Sequence, residues 1–535
     1  MTATKPPAHM GNAARKSAKK GWMAGIKEYL DSRAGLDYLM LRIIIFLLIG
    51  IGVVMVFSSS MATSYVQSTG VWADAARQTV MVGLGLLLFW LALRLRPSLV
   101  RKLVPWVLVL SILLLIAVLI PGVGVGREEV GSQSWIVFGP VSIQPSELAR
   151  VAIGLFGATA LADKVHKGFS LKNPFVMYSL IAGFMLILII AQDDVGMAAS
   201  FAVVVIFTLF FAGVSWSVVG LIMLLGVLAA LSQFIGGGFR SHRFHTYFDS
   251  LRGDILDTQG TGFQAYQGFL SLADGGLTGV GIGQSRAKWF YLPEAKNDYI
   301  FAIVGEELGL LGGALVIVLF AMLGFFGIRT AMRAQNQFQA LMAATLTAGV
   351  VGQAFFNIGY VIGLLPMTGV QLPMISAGGT SAIITIASMG LLANVARHEP
   401  MQISAMQNYG RPLFDRIFNI PEPDPIDGAT RSGRHVAPSR RAASRTTAQL
   451  TAERASETGA GRNTEREVLQ RSQDRNSSSI GADRRRVDGR RAGSNRDSVR
   501  YVGNRREDDR RARDAEREKR FGQAVTDNRA PRKKR

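Results

Sequence analysis

The chain has 535 residues, of which 49% are hydrophobic, and it carries 59 Lys and Arg against 38 Asp and Glu, a formal net charge of +21. So apolar a sequence with so many charges excludes an ordinary soluble globular protein, and zero cysteines exclude disulfides, thiol catalysis and cysteine-ligated metals. The contradiction resolves by location: residues 1–38 and those beyond 400 are basic and polar, whereas the middle is apolar and nearly charge-balanced.

In chain order, the N-terminal segment 1–38 reads as a basic cytoplasmic arm. A cleaved signal peptide is not expected, because about 40 polar residues precede the first apolar run, which would act as an uncleaved anchor. A helix crossing a hydrocarbon core of about 30 Å needs about 20 apolar residues. Ten runs qualify, at 39–58, 77–94, 104–121, 145–163, 175–192, 196–213, 217–236, 298–328, 338–363 and 378–396. The expected fold is therefore an all-α polytopic membrane protein of ten transmembrane helices, with a large extracytoplasmic loop between spans seven and eight. Residues 39–397 form the membrane domain and 398–535 a disordered cytoplasmic tail.

Short loops carrying Arg94, Arg96, Arg101 and Lys102, then Lys164, Lys167 and Lys172, then Arg329 and Arg333 alternate with loops almost devoid of Lys and Arg. The positive-inside rule puts the basic loops and both termini in the cytoplasm, and Asp298 outside. The tail is rich in Arg, Ser, Asp and Gly and too poor in large apolar residues to offset its ordering entropy. Its basic clusters suit anionic lipid or an acidic partner; no interleaved aromatic pattern supports nucleic-acid binding.

Five polar stretches stand out from the apolar background. In 131–150, Trp135 reads as an interfacial anchor and Ser146 and Glu147 as helix-start residues. Arg150, a turn inside a span, wants an anionic neighbour, either a carboxylate or a ligand phosphate. Gln192-Asp-Asp-Val-Gly196 is a tight outer break in which Asp193 and Asp194 serve as turn formers or as site acids. Gly262 to Ser285, with Gln264 and Gln267, reads as an interfacial amphipathic helix followed by a glycine-rich bend. Its glycines are a weak phosphate-loop signal. Leu365 to Ser381 places prolines, glycines and hydroxyls at membrane depth, where irregular backbone survives only against protein or a watery cavity.

The most informative stretch runs from Tyr291 to Leu310. A charged loop meets an apolar segment with Asp298 at the junction, and Glu306 and Glu307 follow roughly 12–14 Å deeper at about 1.5 Å per helical residue. Acids so placed are expensive unless something uses them.

The motifs Gln144-Pro-Ser-Glu147, Leu292-Pro-Glu-Ala with Asp298-Tyr-Ile-Phe, Gly305-Glu-Glu-Leu-Gly, and Leu372-Pro-Met-Ile-Ser-Ala-Gly-Gly-Thr-Ser381 together resemble the FtsW/RodA (SEDS) family. The resemblance covers residues 38–397. The Ile-Ser-Ala-Gly-Gly-Thr-Ser wording and the long basic tail are more similar to the actinobacterial cell-division branch than to the elongation branch. It implies a ten-span peptidoglycan glycosyltransferase that polymerises lipid II at the septum of the plasma membrane. The implied partners are a class B penicillin-binding transpeptidase and other divisome proteins, the latter reached through the tail. It also implies that Asp298 is the essential acid at the mouth of an outward cavity. Two departures are visible: Ser134 stands where the family usually has arginine, and Arg150 where it usually has lysine, which differs in geometry.

Chain growth joins a sugar 4-hydroxyl to an anomeric carbon and expels a lipid pyrophosphate. Asp298 is the candidate general base. Arg150 or a divalent cation, magnesium or manganese, is expected to meet the developing phosphate charge. Candidate substrate contacts are Trp135, Gln144, Glu147, Asp194, Gln264, Gln267, Glu294, Ser376, Gly378, Gly379, Thr380 and Ser381. Glu306 and Glu307 lie too deep to meet sugars and are expected to pair with Arg150 or another buried donor. Two other classes fit the same pattern: a lipid II flippase using the polar cavity, and a membrane scaffold acting through its tail.

Overall fold

The computed structural model describes residues 28–66, 72–127, 131–139, 141–164, 173–215, 262–289 and 292–423, plus isolated positions among 25–248. The expected span 217–236, most of the large loop, Lys167, Lys172 and the tail beyond 423 lie outside the described residues.

Helices form at nine of the ten expected positions: α1 (Leu36–Val66), α2 (Ala73–Arg94), α3 (Pro97–Leu119), α4 (Pro145–Leu161), α5 (Pro174–Ile190), α6 (Val195–Phe211), α8 (Ile300–Arg333), α9 (Gln337–Val361) and α10 (Gly379–Arg397). α7 (Phe263–Asp274) is the expected amphipathic helix. Six of these helices are long and apolar enough to cross a membrane, while α5 and α6 are apolar but shorter. Their starts follow local chemistry. Proline opens α3, α4 and α5, where its missing N–H is no loss. Asn173, Asp194 and Asn336 cap α5, α6 and α9 by accepting from Phe175, Met197 and Gln339 backbone N–H groups.

α9 and α10 are largely buried and α3 is peripheral. α4, α6 and α9 pack against one another, and α10 lies along α2. At Gly390 a Cβ would stand 2.8 Å from the Phe89 backbone, so this small residue lets α2 and α10 touch. The outward faces present Trp106, Leu113, Leu315 and Phe325, which suits lipid rather than water.

The expected all-α architecture stands, with two additions. β1 (Gly124–Val125), β2 (Trp135–Phe138) and β3 (Val141–Ile143) make a three-stranded antiparallel sheet in the loop before α4. The alternation within Trp135-Ile-Val-Phe138 pairs Ile136 with Gly124 and Ile143 and buries it. The membrane body also extends past 397. α11 (Pro400–Tyr409) and α12 (Leu413–Ile417) follow, and the fully buried Asp415 accepts from Arg397 Nε at 2.7 Å and from the Tyr38 hydroxyl at 2.8 Å. Nearby, Arg329 pairs with Asp37 at 2.6 Å and Asp31 at 3.1 Å, so the N-terminal segment and the ends of α8 and α10 gather at one end. The sheet, Asp298 and the 362–378 loop occupy the opposite end.

Candidate active site

Residues 292–299 form a turn that delivers Asp298 just before the start of α8. Glu294 takes a left-handed backbone (φ 53°), and its carbonyl accepts from the Asn297 and Tyr299 N–H groups. Three consecutive carbonyls of this turn are then held from outside. The Ala377 N–H donates to Lys296 O at 2.9 Å, and the Ser376 hydroxyl donates to Asn297 O at 2.7 Å. Asn357 Nδ2 and the Tyr360 hydroxyl both donate to Asp298 O, at 2.7 and 2.6 Å. The same two α9 side chains also donate to Val370 O, tying the turn to the 362–378 loop. The Asp298 carboxylate faces that loop: a Cβ at Gly369 would lie 3.4 Å from Oδ2. Lys296 pairs with Asp74 of α2 at 2.7 Å, both partly exposed. The backbone around Asp298 is thus fixed from two elements, α9 and the 362–378 loop, and Asp298 itself is half-buried.

A second polar group lies beneath the sheet. Glu147 accepts from Arg150 at 2.7 Å, from Gln353 at 3.1 Å and from the Ser381 hydroxyl at 3.0 Å, joining α4, α9 and α10. Arg150 is 2% exposed and donates also to Gly349 O and Ser200, while its Nε–H has no partner. Its charge is paired with Glu147 inside the protein. Gln144 donates to Asp194 at 3.0 Å, and Thr380 donates to Ser142 O at 2.9 Å. Burial pushes the Asp194 carboxyl up, and the Met197 N–H, Gln144 and the Ser134 hydroxyl pull it back. Ser134, where the family usually has arginine, is itself buried beside Ser132 and brings no charge to this group.

The two deep glutamates are satisfied together, and their cation is Lys288 rather than Arg150. The single Ser58 hydroxyl donates between the two carboxylate oxygens of Glu307, 2.6 and 2.7 Å away, and Lys288 Nζ pairs with the same carboxylate at 3.2 Å. Glu306 accepts from the Ser285 hydroxyl and the Arg286 N–H, each at 2.7 Å. Directly after them α8 breaks at Gly309 (φ 68°, ψ −168°). The glycine-rich bend fills that break: Val280 and Gly281 N–H groups donate to Glu306 and Glu307 carbonyls, and Leu310 and Leu311 N–H groups donate to Gly276 and Leu277 carbonyls. At Gly279 a Cβ would stand 2.2 Å from the Glu307 carbonyl oxygen. Gly275 and Gly279 serve close backbone contact, and Gly276, Gly281 and Gly283 serve turns of positive φ.

The structure therefore brings Asp298 and Ser376 together, and separately Gln144 with Asp194 and Glu147 with Ser381. Gly378 and Gly379 form the entry to α10, and Trp135 sits half-buried in the sheet. Gln264 donates to Pro293 O at 3.0 Å and supports the Asp298 turn from α7. Gln267, one turn on, contributes its carbonyl to Ser271. Sequence reasoning missed Asn357, Tyr360 and Lys288. The first two were visible as polar residues in an otherwise apolar span. Among the described residues no group of three or more His, Asp or Glu stands ready to hold a metal ion.

An end of a polytopic helix bundle that fixes one surface acid over buried ion pairs defines a membrane-embedded site. Residues 38–401 match the family model for FtsW/RodA/SpoVE cell cycle proteins. The chain is 38% identical over 379 residues to the probable peptidoglycan glycosyltransferase FtsW of Mycobacterium tuberculosis, covering 71% of each. It is 35% identical to stage V sporulation protein E of Bacillus subtilis, covering 67% of this chain and 97% of that one. Among solved structures it is similar, at 25% identity and a TM-score of 0.54, to a chain of a peptidoglycan synthase complex described as coordinating polymerization and crosslinking, covering 67% of this chain and 97% of that one. The protein belongs to the FtsW/RodA/SpoVE family.

Proposed function

We propose that this protein is a peptidoglycan glycosyltransferase that polymerises lipid II into glycan strands at the outer face of the plasma membrane during septal wall synthesis. The observation that carries the reading is the fixing of Asp298 by three consecutive clamped carbonyls at the bundle end that holds the sheet and the irregular loop. A sugar hydroxyl is a weak nucleophile, and a carboxylate held within reach accepts its proton as the anomeric carbon is attacked. Fixing the backbone on both sides of that carboxylate lowers the entropy cost of reaching the reactive geometry.

The leaving pyrophosphate needs positive charge. Lys296, two residues from Asp298 and partly exposed, is placed to contribute it; a magnesium or manganese ion accompanying the pyrophosphate would add to it. Arg150 acts through Glu147, which anchors Ser381 and so the start of α10, rather than by touching phosphate. The synthase-complex relative supports pairing with a crosslinking transpeptidase of the class B penicillin-binding type. The division-type relatives support a septal placement, and the basic loops support cytoplasmic termini.

One observation favours the flippase reading: α8 is a broken helix with buried acids at the break, an architecture used in transporters. The two readings separate in one preparation. Purified protein with a crosslinking partner is given lipid II in nanodiscs, where only polymerisation is scored, and in sealed vesicles, where translocation is scored. Glycan strands in nanodiscs support the polymerase; translocation in vesicles with no strands in either format overturns it.

A further inference from the structure

The chain does not leave the bundle at the end of α10. After α11 it reverses at Gly410 (φ 81°) and runs back as Arg411-Pro-Leu-Phe-Asp-Arg-Ile-Phe-Asn-Ile420. Its polar anchor is Asp415, fully buried between Arg397 and the Tyr38 hydroxyl. Its apolar residues divide. Phe414 turns inward, under the Arg42 guanidinium at 4.3 Å and beside the Phe46 ring at 6.2 Å. Leu413, Ile417 and Phe418 turn outward and are 70%, 66% and 47% exposed.

The depth of this segment is set by its neighbours. Phe414 spans the level from Arg42 to Phe46 on α1, about 6 Å of helix rise, where the apolar run of α1 begins. Phe418 lies 4.5 Å from Phe414, and its carbonyl accepts from Trp90 Nε1 at 2.8 Å, one turn inside Arg94 at the end of α2. Both helices therefore place α12 at the boundary between headgroups and acyl chains. The outward residues continue the exposed apolar faces of α1 (Leu39, Ile43, Leu47) and α2 (Leu87, Leu91). Arg416 projects from the same short helix and is exposed, and Arg411 is partly so.

We infer that residues 411–420 form a strap inserted in the cytoplasmic leaflet, with Leu413, Ile417 and Phe418 among acyl chains and Arg416 and Arg411 at anionic phospholipid headgroups. Three outward apolar side chains at this depth gain by leaving water, and arginine beside them gains at a negatively charged surface. Asp415 is the pin that orients the strap. The consequence is that the ordered body ends at the membrane surface rather than at the end of a span.

The natural absence of cysteine makes the test direct in the full-length protein. Single spin labels are placed at Ile417→Cys and, as a second variant, at Leu413→Cys. Tyr409→Cys, 88% exposed on α11, is the water reference, and Leu113→Cys on the outward face of α3 is the lipid reference. In nanodiscs of mixed phosphatidylglycerol and phosphatidylethanolamine, accessibility to oxygen relative to a water-soluble nickel chelate should be several-fold higher at 413 and 417 than at 409, and lower than at 113. Asp415→Asn should shift both strap labels toward the water reference. Labels at 413 and 417 that match 409 would overturn the insertion. Labels shielded from both reagents would overturn it in favour of a protein surface. An unchanged depth in purely neutral phosphatidylcholine would overturn the anionic preference.

Discussion

Asn357 and Tyr360 are the sharpest test of how Asp298 is held. The two donors converge on two carbonyls, Asp298 O and Val370 O, and their protons can be counted. The Asn357 amide has two protons and serves both carbonyls at 2.7 Å; the Tyr360 hydroxyl has one proton to share between them. Tyr360→Phe therefore leaves each carbonyl with a donor and should cost about 0.5–1.5 kcal/mol. Asn357→Leu leaves one proton for two buried carbonyls and should cost about 1–3 kcal/mol, the penalty for one bare acceptor. In the double variant both carbonyls have lost both of these donors, so Tyr360→Phe should cost more in the Asn357→Leu background than alone. Loss of the clamp also lets the carboxylate drift, and a displacement of about 1 Å is enough for a loss near 10²-fold in turnover. Thermal unfolding and lipid II turnover of the four proteins measure both effects. The reasoning fails if Tyr360→Phe is as damaging as Asn357→Leu, or if the folded double variant turns over at the wild-type rate.

Lys288→Met should destabilise by about 3–5 kcal/mol, because Glu307 keeps its buried charge without a cation; adding Glu307→Gln should recover most of that in thermal unfolding. Gly279→Ala forces a side chain at φ 84° against the Glu307 carbonyl and should cost about 2–4 kcal/mol, read in the same assay. Burial, with Asp37 beside it, pushes Glu399 up to about 8 from 4.5, although Arg333 and Arg329 pull it down. Its stabilising contribution is complete below the unfolded value and is lost as pH rises through about 8. Unfolding temperature should thus fall from about pH 6 to pH 9, and Glu399→Gln should flatten that slope.

Much of this was readable because a hydrocarbon solvent imposes simple rules. Runs such as 298–328 and 338–363 had the length and composition to cross, and helices stand there. Asp194 was legible as a turn former and caps α6. What escaped was decided by contacts distant in sequence. Nothing around Lys288 in the sequence marks it; folding sets it against Glu307 and Ser58. The segment 411–420 looked like the start of a polar tail, yet Phe414, Phe418 and Ile420 in a short interval were a signal that it had somewhere to pack. The sheet was hidden because its strands are two to four residues long, too short for alternation to outweigh Gly and Ser.

The central claim is that the Asp298 carboxylate is the base. Asp298→Asn keeps the backbone carbonyl that Asn357 and Tyr360 hold, and it replaces only the acid by an isosteric amide. Lipid II polymerisation by this variant, with the crosslinking partner present and folding checked by thermal unfolding, is the most direct measurement. The account predicts a folded protein that binds lipid II and makes no glycan strands. Strands made at the wild-type rate would remove Asp298 as the base and leave its clamp without a catalytic purpose.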